Sequence, residues 1–192
     1  SKAAQVISFF YLCLQMTGYI AAIGTAVPKY KMAQADIAAH MATTLNMNKD
    51  DAHLLQLLFR ATGIANSYSV LRDFSNEINE KSIFSNANGD EPGTAQRMDI
   101  YRQTAPHLAA EACKDCCSSI EIRPEEVTHL ITVSCTGMYA PGLDIDLVKM
   151  LGLSKSVKRT GVYFMGCYAA FTALKLADDI CKADKDAKVL VV

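Results

Sequence analysis

The chain has 192 residues, of which 51% are hydrophobic and 20% are charged. This length and hydrophobic content are typical of a globular domain with a substantial core and argue against a disordered chain. Nineteen Lys and Arg against twenty Asp and Glu give a net charge of −1 with no basic stripe, which argues against nucleic acid as a partner.

The cysteines form an odd set scattered over segments that resemble core helices and strands. They stand at positions 13, 113, 116, 117, 135, 167 and 181. Such a distribution favours a reducing compartment over a disulfide framework, so we expect a cytoplasmic protein.

Residues 1–17 are interpreted as an N-terminal extension. The apolar run from Val6 to Leu14 follows Lys2 and resembles a short signal peptide, but it has one basic residue before it and no clear cleavage site after it. It is also too short to span a bilayer as a helix. We therefore expect an added strand or helix that packs on the body of the protein or on a second subunit, and no membrane partner.

Residues 18–192 are interpreted as one domain, and its first part alternates strand-like and helical patterns. The first strand is stopped by Pro28, which cannot donate a hydrogen bond within a sheet. The predicted elements are a strand at 18–27, amphipathic helices at 34–45 and 49–60, and a short strand at 68–71. From Phe74 to Gln96 turn residues predominate, which predicts a surface excursion.

The second part of the domain continues the alternation. The predicted elements are a helix at 97–120, a strand at 128–134, a helix at 143–151, a strand at 157–164, a helix at 167–181 and a strand at 188–192. The run at 128–134 is continuously apolar, as in strands that are buried on both faces. The pattern predicts an α/β fold with a mostly parallel sheet and helices on both faces. Because the chain stops inside its last strand, we expect it to be truncated.

Cys167 is the candidate nucleophile. It follows Gly166 where an apolar strand gives way to a helical pattern. A helix N-terminus offers unpaired N–H groups and a positive dipole, which stabilise a thiolate. From this stretch alone, Cys167 could equally be a small apolar residue in a core helix.

Three stretches around these elements follow one another in a fixed order. They are Ser134 to Asp144 (SCTGMYAPGLD), Lys149 to Leu153 (KMLGL) and Met165 to Ala170 (MGCYAA). In order and spacing they resemble the type III polyketide synthases, the chalcone-synthase-like branch of the thiolase-fold condensing enzymes. The resemblance covers about residues 18–192 and implies the N-terminal half of such an enzyme, the first half of a five-layered thiolase fold.

The resemblance implies an acyltransferase that uses coenzyme A thioesters and no further cofactor. Cys167 would take the starter acyl group from an acyl-CoA, and malonyl-CoA would lose carbon dioxide to give the enolate that attacks it. The family draws a histidine and an asparagine from its C-terminal half, whereas all four histidines here precede Cys167. A missing C-terminal half, a chain that is inactive alone and a homodimeric intact enzyme are therefore implied.

Four residues upstream of Cys167 are expected to line the substrate pocket. Cys135 stands where plant chalcone synthases have a pocket threonine, with Thr136 beside it, and this pattern implies aliphatic rather than aromatic starters. Met138 is expected to fill the pocket or the core. Ala140 occupies the position from which chalcone synthases send a side chain across the dimer interface. Arg60 is the basic residue nearest to the segment that grips the CoA phosphates in plant members.

Two other interpretations remain. A ketoacyl-synthase III or a hydroxymethylglutaryl-CoA-synthase-like enzyme would share the fold and the nucleophile helix. Cys113 and Cys116, with Cys117 beside them, could instead indicate a zinc or redox module. No second pair stands at zinc-ligand spacing, so we expect structural cysteines and no metal.

Overall fold

The computed structural model describes residues 6–14, 17–73 and 92–192. Most of the surface excursion predicted at 74–96 lies outside these residues. The described residues divide into two compact units, a small unit within residues 27–94 and a sheet unit within residues 6–26 and 95–192.

The elements alternate along the chain much as the sequence predicts. In order they are β1 (Val6–Leu14), β2 (Thr17–Ala26), β3 (Tyr30–Ala33), α1 (Gln34–Thr44), α2 (Lys49–Ala61), β4 (Asn66–Ser69), α3 (Thr94–Ser118), a 3-10 turn (Pro124–Glu126), β5 (His129–Ser134), α4 (Leu143–Leu151), β6 (Lys158–Tyr163), α5 (Ala169–Ala183) and β7 (Lys188–Val191). None of the described helices is long and apolar enough to cross a bilayer.

The sheet unit is built on a five-stranded sheet in the order β2-β1-β7-β5-β6. Strand β5 runs parallel to β6 and to β7, whereas β1 is antiparallel to both of its neighbours. Four of the five strands therefore point the same way, which confirms the prediction of a mostly parallel sheet.

Helices cover both faces of this sheet, as predicted. Successive strand residues face opposite sides, so Leu130 packs in a cluster with α3 and α4 while Ile131 packs in a second cluster with α5. Helix α5 packs close to the sheet, because the side chains that it presents to the strands are small: Ala169, Ala173 and Ala177. This close approach fixes the position at which α5 begins, and therefore the turn that precedes it.

Strand β1 carries the apolar run for which the sequence predicts an added strand or helix. It lies inside the sheet, with Val6 paired to Ala26 of β2 and Phe9 paired to Val191 of β7. Phe10 is fully buried, and the Oγ of Ser8 lies 3.5 Å from the Sγ of Cys113 on α3. This strand is a structural part of the sheet unit.

The small unit holds α1, α2 and a two-stranded antiparallel sheet of β3 and β4. Asn48 caps α2, since its side chain accepts a hydrogen bond of 2.9 Å from the backbone N–H of Asp51. Strand β3 was not predicted, and β4 begins two residues before the predicted strand at 68–71. Four-residue strands give too little alternation for the period of two to be recognised.

Candidate active site

The candidate site lies at the edge of the sheet where β5 and β6 end. These strands are parallel neighbours, and their last residues, Ser134 and Tyr163, are paired in register. The N–H of Phe164 donates a further bond of 3.2 Å to the carbonyl of Ser134. Because the carboxyl ends of parallel strands meet at one edge, the segments that begin with Cys135 and with Phe164 leave the sheet together.

The turn that carries Cys167 is shaped by two residues with positive φ. Phe164 has φ 57° and Gly166 has φ 76°, a region that is costly for a bulky side chain and easy for glycine. The N–H of Ala169 then closes the turn on the carbonyl of Gly166 at 3.1 Å. A non-glycine residue held in this region is typical of sites that need an exact backbone path.

The helix predicted to start at Cys167 starts two residues later, at Ala169, with Tyr168 as its N-cap. Cys167 therefore lies in the turn before the helix and not in its first turn. The cause is the left-handed Gly166, which bends the chain once more before helical hydrogen bonding begins. The dipole effect falls off within a turn of the helix end, so it acts on Cys167 from just outside α5.

Cys167 and Cys135 lie side by side at this edge. The pKa of Cys135 is raised by desolvation and then by the neighbouring Cys167. Both are free thiols and both are exposed. The structure thus brings together the predicted nucleophile and one of the predicted pocket residues.

Three aromatic side chains near Cys167 in the sequence are open to solvent. Phe164, Tyr168 and Phe171 are 60%, 57% and 66% exposed. These side chains leave apolar surface uncovered in the segment that carries Cys167.

The other predicted pocket residues lie on the loop after β5. Thr136 and Ala140 are exposed, and Met138 is half exposed and lines a cavity of about 160 Å³ behind the loop. The peptide bond between Ala140 and Pro141 is cis. Of the predicted pocket residues, Cys135 is therefore the neighbour of Cys167, while Met138 lines this cavity.

Tyrosines that were not predicted as site residues hold this loop in place. The rings of Tyr101 and Tyr139 meet edge to face with centroids 6.1 Å apart. The Tyr163 hydroxyl is hydrogen-bonded to Thr132 at 2.8 Å. Gly137 lies against the Tyr101 ring, so closely that a Cβ atom there would be 2.3 Å from it. The sequence signal for this network was weak, because each tyrosine comes from a different element.

Arg60 and the histidines take other positions. Arg60 is exposed in the last turn of α2, in the small unit, where a cation complements the helix dipole. His129 begins β5 whereas Cys135 follows its end, which separates them by about 20 Å along an extended strand. Desolvation and then the charge of Lys158 lower the pKa of His129. His129 is therefore a residue at a strand boundary.

The cysteines of α3 belong to the core. Desolvation raises the pKa of Cys113 to about 12 and that of Cys116 to about 11, so both stay protonated at neutral pH. In the described parts of the chain no three His, Cys, Asp or Glu side chains come together as metal ligands. The geometry of this helix gives no support to the zinc module.

Comparison with known proteins gives one family match and several relatives. The family described as chalcone and stilbene synthases, N-terminal domain, matches residues 12–192. A bisdemethoxycurcumin synthase from Oryza sativa subsp. japonica is 32% identical over 175 residues, which are 90% of this chain and 42% of that protein. The chain therefore spans less than half the length of this relative.

Solved structures give the same picture. The crystal structure of PKS-I from the brown alga Ectocarpus siliculosus superposes with a TM-score of 0.76 at 25% identity, over 96% of this chain and 46% of that one. The C-terminal type III polyketide synthase domain of Steely1, a type I/III hybrid from Dictyostelium, also has a TM-score of 0.76, at 21% identity and over 95% and 47% of the two chains. The second match shows likeness of fold alone.

Proposed function

The chain belongs to the chalcone and stilbene synthases, whose N-terminal domain it carries over residues 12–192, and from this we propose that it holds the nucleophile of a type III polyketide synthase. The supporting observation is an exposed Cys167 in the turn between β6 and α5. The protein would be an acyltransferase that extends an acyl-CoA starter with malonyl-CoA.

The proposed reaction has two stages at Cys167. Its thiolate attacks the carbonyl of the starter thioester, the CoA thiolate leaves, and the acyl group is held as a new thioester. Malonyl-CoA then loses carbon dioxide, and the resulting enolate attacks the acyl carbonyl and releases the Cys167 thiolate. Both stages develop negative charge on oxygen, which needs fixed hydrogen-bond donors in a dry site.

We propose that a second half of the fold supplies those donors and covers the site. The apolar side chains around Cys167 are largely exposed, and the relatives are more than twice as long as the matched region. Covering this surface would exclude water from the thioester. The histidine, the asparagine and a homodimer interface that the family resemblance implies would belong to this intact form, in the cytoplasm.

The nucleophile can be tested on the full-length natural protein that carries this chain. After incubation with an acyl-CoA alone, we expect one acyl adduct on the peptide containing Cys167 and an equal amount of released CoA. Cys167→Ala should lose the adduct, while Cys117→Ser, at the end of α3, should keep it. An adduct that persists in Cys167→Ala would contradict the proposal.

The reaction type separates the polyketide synthase from its alternative. Full-length protein with an acyl-CoA and malonyl-CoA should give products extended several times and then cyclised. A single condensation product would instead support a ketoacyl-synthase III or hydroxymethylglutaryl-CoA-synthase-like enzyme.

The pocket residues lead to a proposal for the starter. Cys135, Thr136 and Ala140 present small side chains beside Cys167 or on the same loop, which we propose favours aliphatic acyl groups, with Met138 as an apolar filler. Rates of acyl transfer to Cys167 should rise with aliphatic chain length and should be low for aromatic acyl-CoA. A strong preference for aromatic starters would overturn this assignment.

CoA binding is proposed to involve Arg60. Replacing it by Gln should raise the KM for malonyl-CoA and leave the rate of a small non-CoA thioester unchanged. Lys49→Gln, at the other end of α2, is the matched control.

A further inference from the structure

Two thiols that the proposed reaction does not need as a pair meet at the candidate site. Cys135 follows β5 directly and Cys167 lies in the turn after β6, and these strands are parallel neighbours in the sheet. The pairing of Ser134 with Tyr163, and the bond from Phe164 to Ser134, hold the two segments at one edge. The strand register thus brings the two cysteine-bearing segments to the same edge of the sheet.

This pair is distinct from the other described cysteines. Cys113, Cys116 and Cys181 are buried and Cys117 is half-buried, whereas Cys135 and Cys167 are exposed. Both thiols also lie outside helices and strands, so their side chains can rotate without breaking a strand ladder. Solvent-exposed thiols that lie close to one another are those that can form a reversible disulfide.

We propose that Cys135 and Cys167 form a reversible disulfide when the protein meets a peroxide, and that this disulfide withdraws the Cys167 sulfur from acyl transfer. The disulfide itself depends only on the thiol pair, while its effect on activity rests on the function proposed above. A site that admits an acyl-CoA thioester also admits a molecule as small as hydrogen peroxide.

The oxidation balances in two steps. The Cys167 thiol gives up its proton, its thiolate attacks one oxygen of hydrogen peroxide, and the O–O bond breaks to leave a sulfenic acid and a hydroxide that takes up the released proton as one water. The Cys135 sulfur then attacks the sulfenic sulfur, the S–O bond breaks, and the disulfide and a second water form. The two thiols lose two electrons and two protons, both of which the peroxide accepts.

The surroundings of the two thiols assign them different parts. The pKa of Cys135 is raised by desolvation and by the nearby Cys167, which favours it as the second, resolving thiol. Cys167 stands beside the positive end of α5 and is the thiol that attacks first. Capture by Cys135 would stop Cys167 at a reversible stage, because sulfinic and sulfonic acids form only when a sulfenic acid persists.

The test uses the full-length natural protein, reduced, then treated with a small excess of hydrogen peroxide and digested without reductant. We expect a cross-linked peptide containing Cys135 and Cys167, lighter by two hydrogens than the two peptides. Acyl transfer should fall at least tenfold as the cross-link forms and should return on addition of dithiothreitol. Absence of the cross-link in folded, oxidised protein would overturn the proposal.

Variants sharpen the result. Cys135→Ser should form no cross-link and should instead accumulate sulfinic acid on Cys167, with a loss of acylation that dithiothreitol does not restore. Cys117→Ser should behave like the unchanged protein. If Cys135→Ser resisted or recovered from oxidation as the unchanged protein does, the resolving role would be wrong.

The disulfide and the proposed function fail in different ways. The cross-link is measured by mass and does not require activity. A cross-link in a protein whose reduced form transfers no acyl group would contradict the function alone. Normal acyl transfer without a cross-link would contradict the disulfide alone.

Discussion

The hydroxyl of Tyr139 donates a hydrogen bond of 2.5 Å to the Oδ2 of Asp146. This bond ties the loop that follows β5 to helix α4, which begins only a few residues later. The pKa of Tyr139 is raised by desolvation and then by Asp146, so the tyrosine remains a donor throughout the neutral range. A charge-assisted hydrogen bond therefore fixes the loop that begins at Cys135 to helix α4.

Removing this hydroxyl should loosen the loop. Tyr139→Phe leaves the ring in place and deprives Asp146 of its donor, for an expected loss of about 1–2 kcal/mol in the free energy of unfolding. Tyr19→Phe, at an exposed tyrosine on β2, is the matched control and should change little. Urea unfolding of both variants checks this, and equal midpoints would contradict the role given to the bond.

Acid should weaken the junction between the 3-10 turn and β7. The Nζ of Lys188 lies 2.6 Å from Glu126, and this contact, with bonds from Arg123, lowers the pKa of Glu126 from 4.5 to about 2. A depressed carboxyl pKa contributes stability above its unfolded value, and the contribution is lost as pH falls toward the folded value.

The contribution of Glu126 should therefore disappear between pH 4.5 and about 2. Melting temperatures across this range should fall less steeply for Glu126→Gln than for the unchanged protein. Glu125→Gln, at the exposed neighbour, should keep the original slope. The pKa of Glu126 measured directly by NMR provides a second check, and an ordinary value would rule the effect out.

The rate of alkylation should distinguish the cysteines of the candidate site from those of the core. Iodoacetamide at pH 8 should modify Cys135 and Cys167 in the native protein, because both are exposed. Cys113 and Cys116 should resist until the protein unfolds, because burial keeps their pKa near 12 and 11. Peptide mass spectrometry over time gives the order, and early labelling of Cys113 would contradict the packing of α3.

Much of this site follows from order along the chain. The helix at 143–151 is confirmed to the residue, and the strands before Cys135 and Cys167 are confirmed within one residue at each end. Gly166 marked the turn, yet its left-handed φ delayed α5 to Ala169, because a glycine signals a bend without fixing how many residues it takes.

Contacts between distant segments were harder to predict. The position of β1 inside the sheet depends on pairing with β7, which lies far along the chain, and an apolar run alone does not indicate its neighbours. The meeting of Cys135 with Cys167 required knowing that β5 and β6 are adjacent. Hydrophobic pattern predicts which elements form, whereas strand order and register decide which side chains meet.

Two glycines give the sharpest test of the close packing around the sheet. At Gly24 on β2, a Cβ atom would lie 2.3 Å from the carbonyl oxygen of Ala112 and 2.3 Å from the N of Cys116, both backbone atoms of α3. At Gly137 the obstacle is the side-chain ring of Tyr101. A backbone obstacle can be relieved only by moving the helix, whereas a ring can be removed.

Both Gly24→Ala and Gly137→Ala should therefore destabilise the protein, by about 1–3 kcal/mol or more. Gly137→Ala should cost less free energy of unfolding in a Tyr101→Ala background than in the unchanged protein, since the new methyl group then has space. Adding Tyr101→Ala to Gly24→Ala should recover nothing, because the three atoms nearest to the added Cβ at Gly24 all belong to Ala112 and Cys116. Urea unfolding of the three single and two double variants measures the coupling, and equal coupling at the two glycines would show that these contacts do not limit the packing.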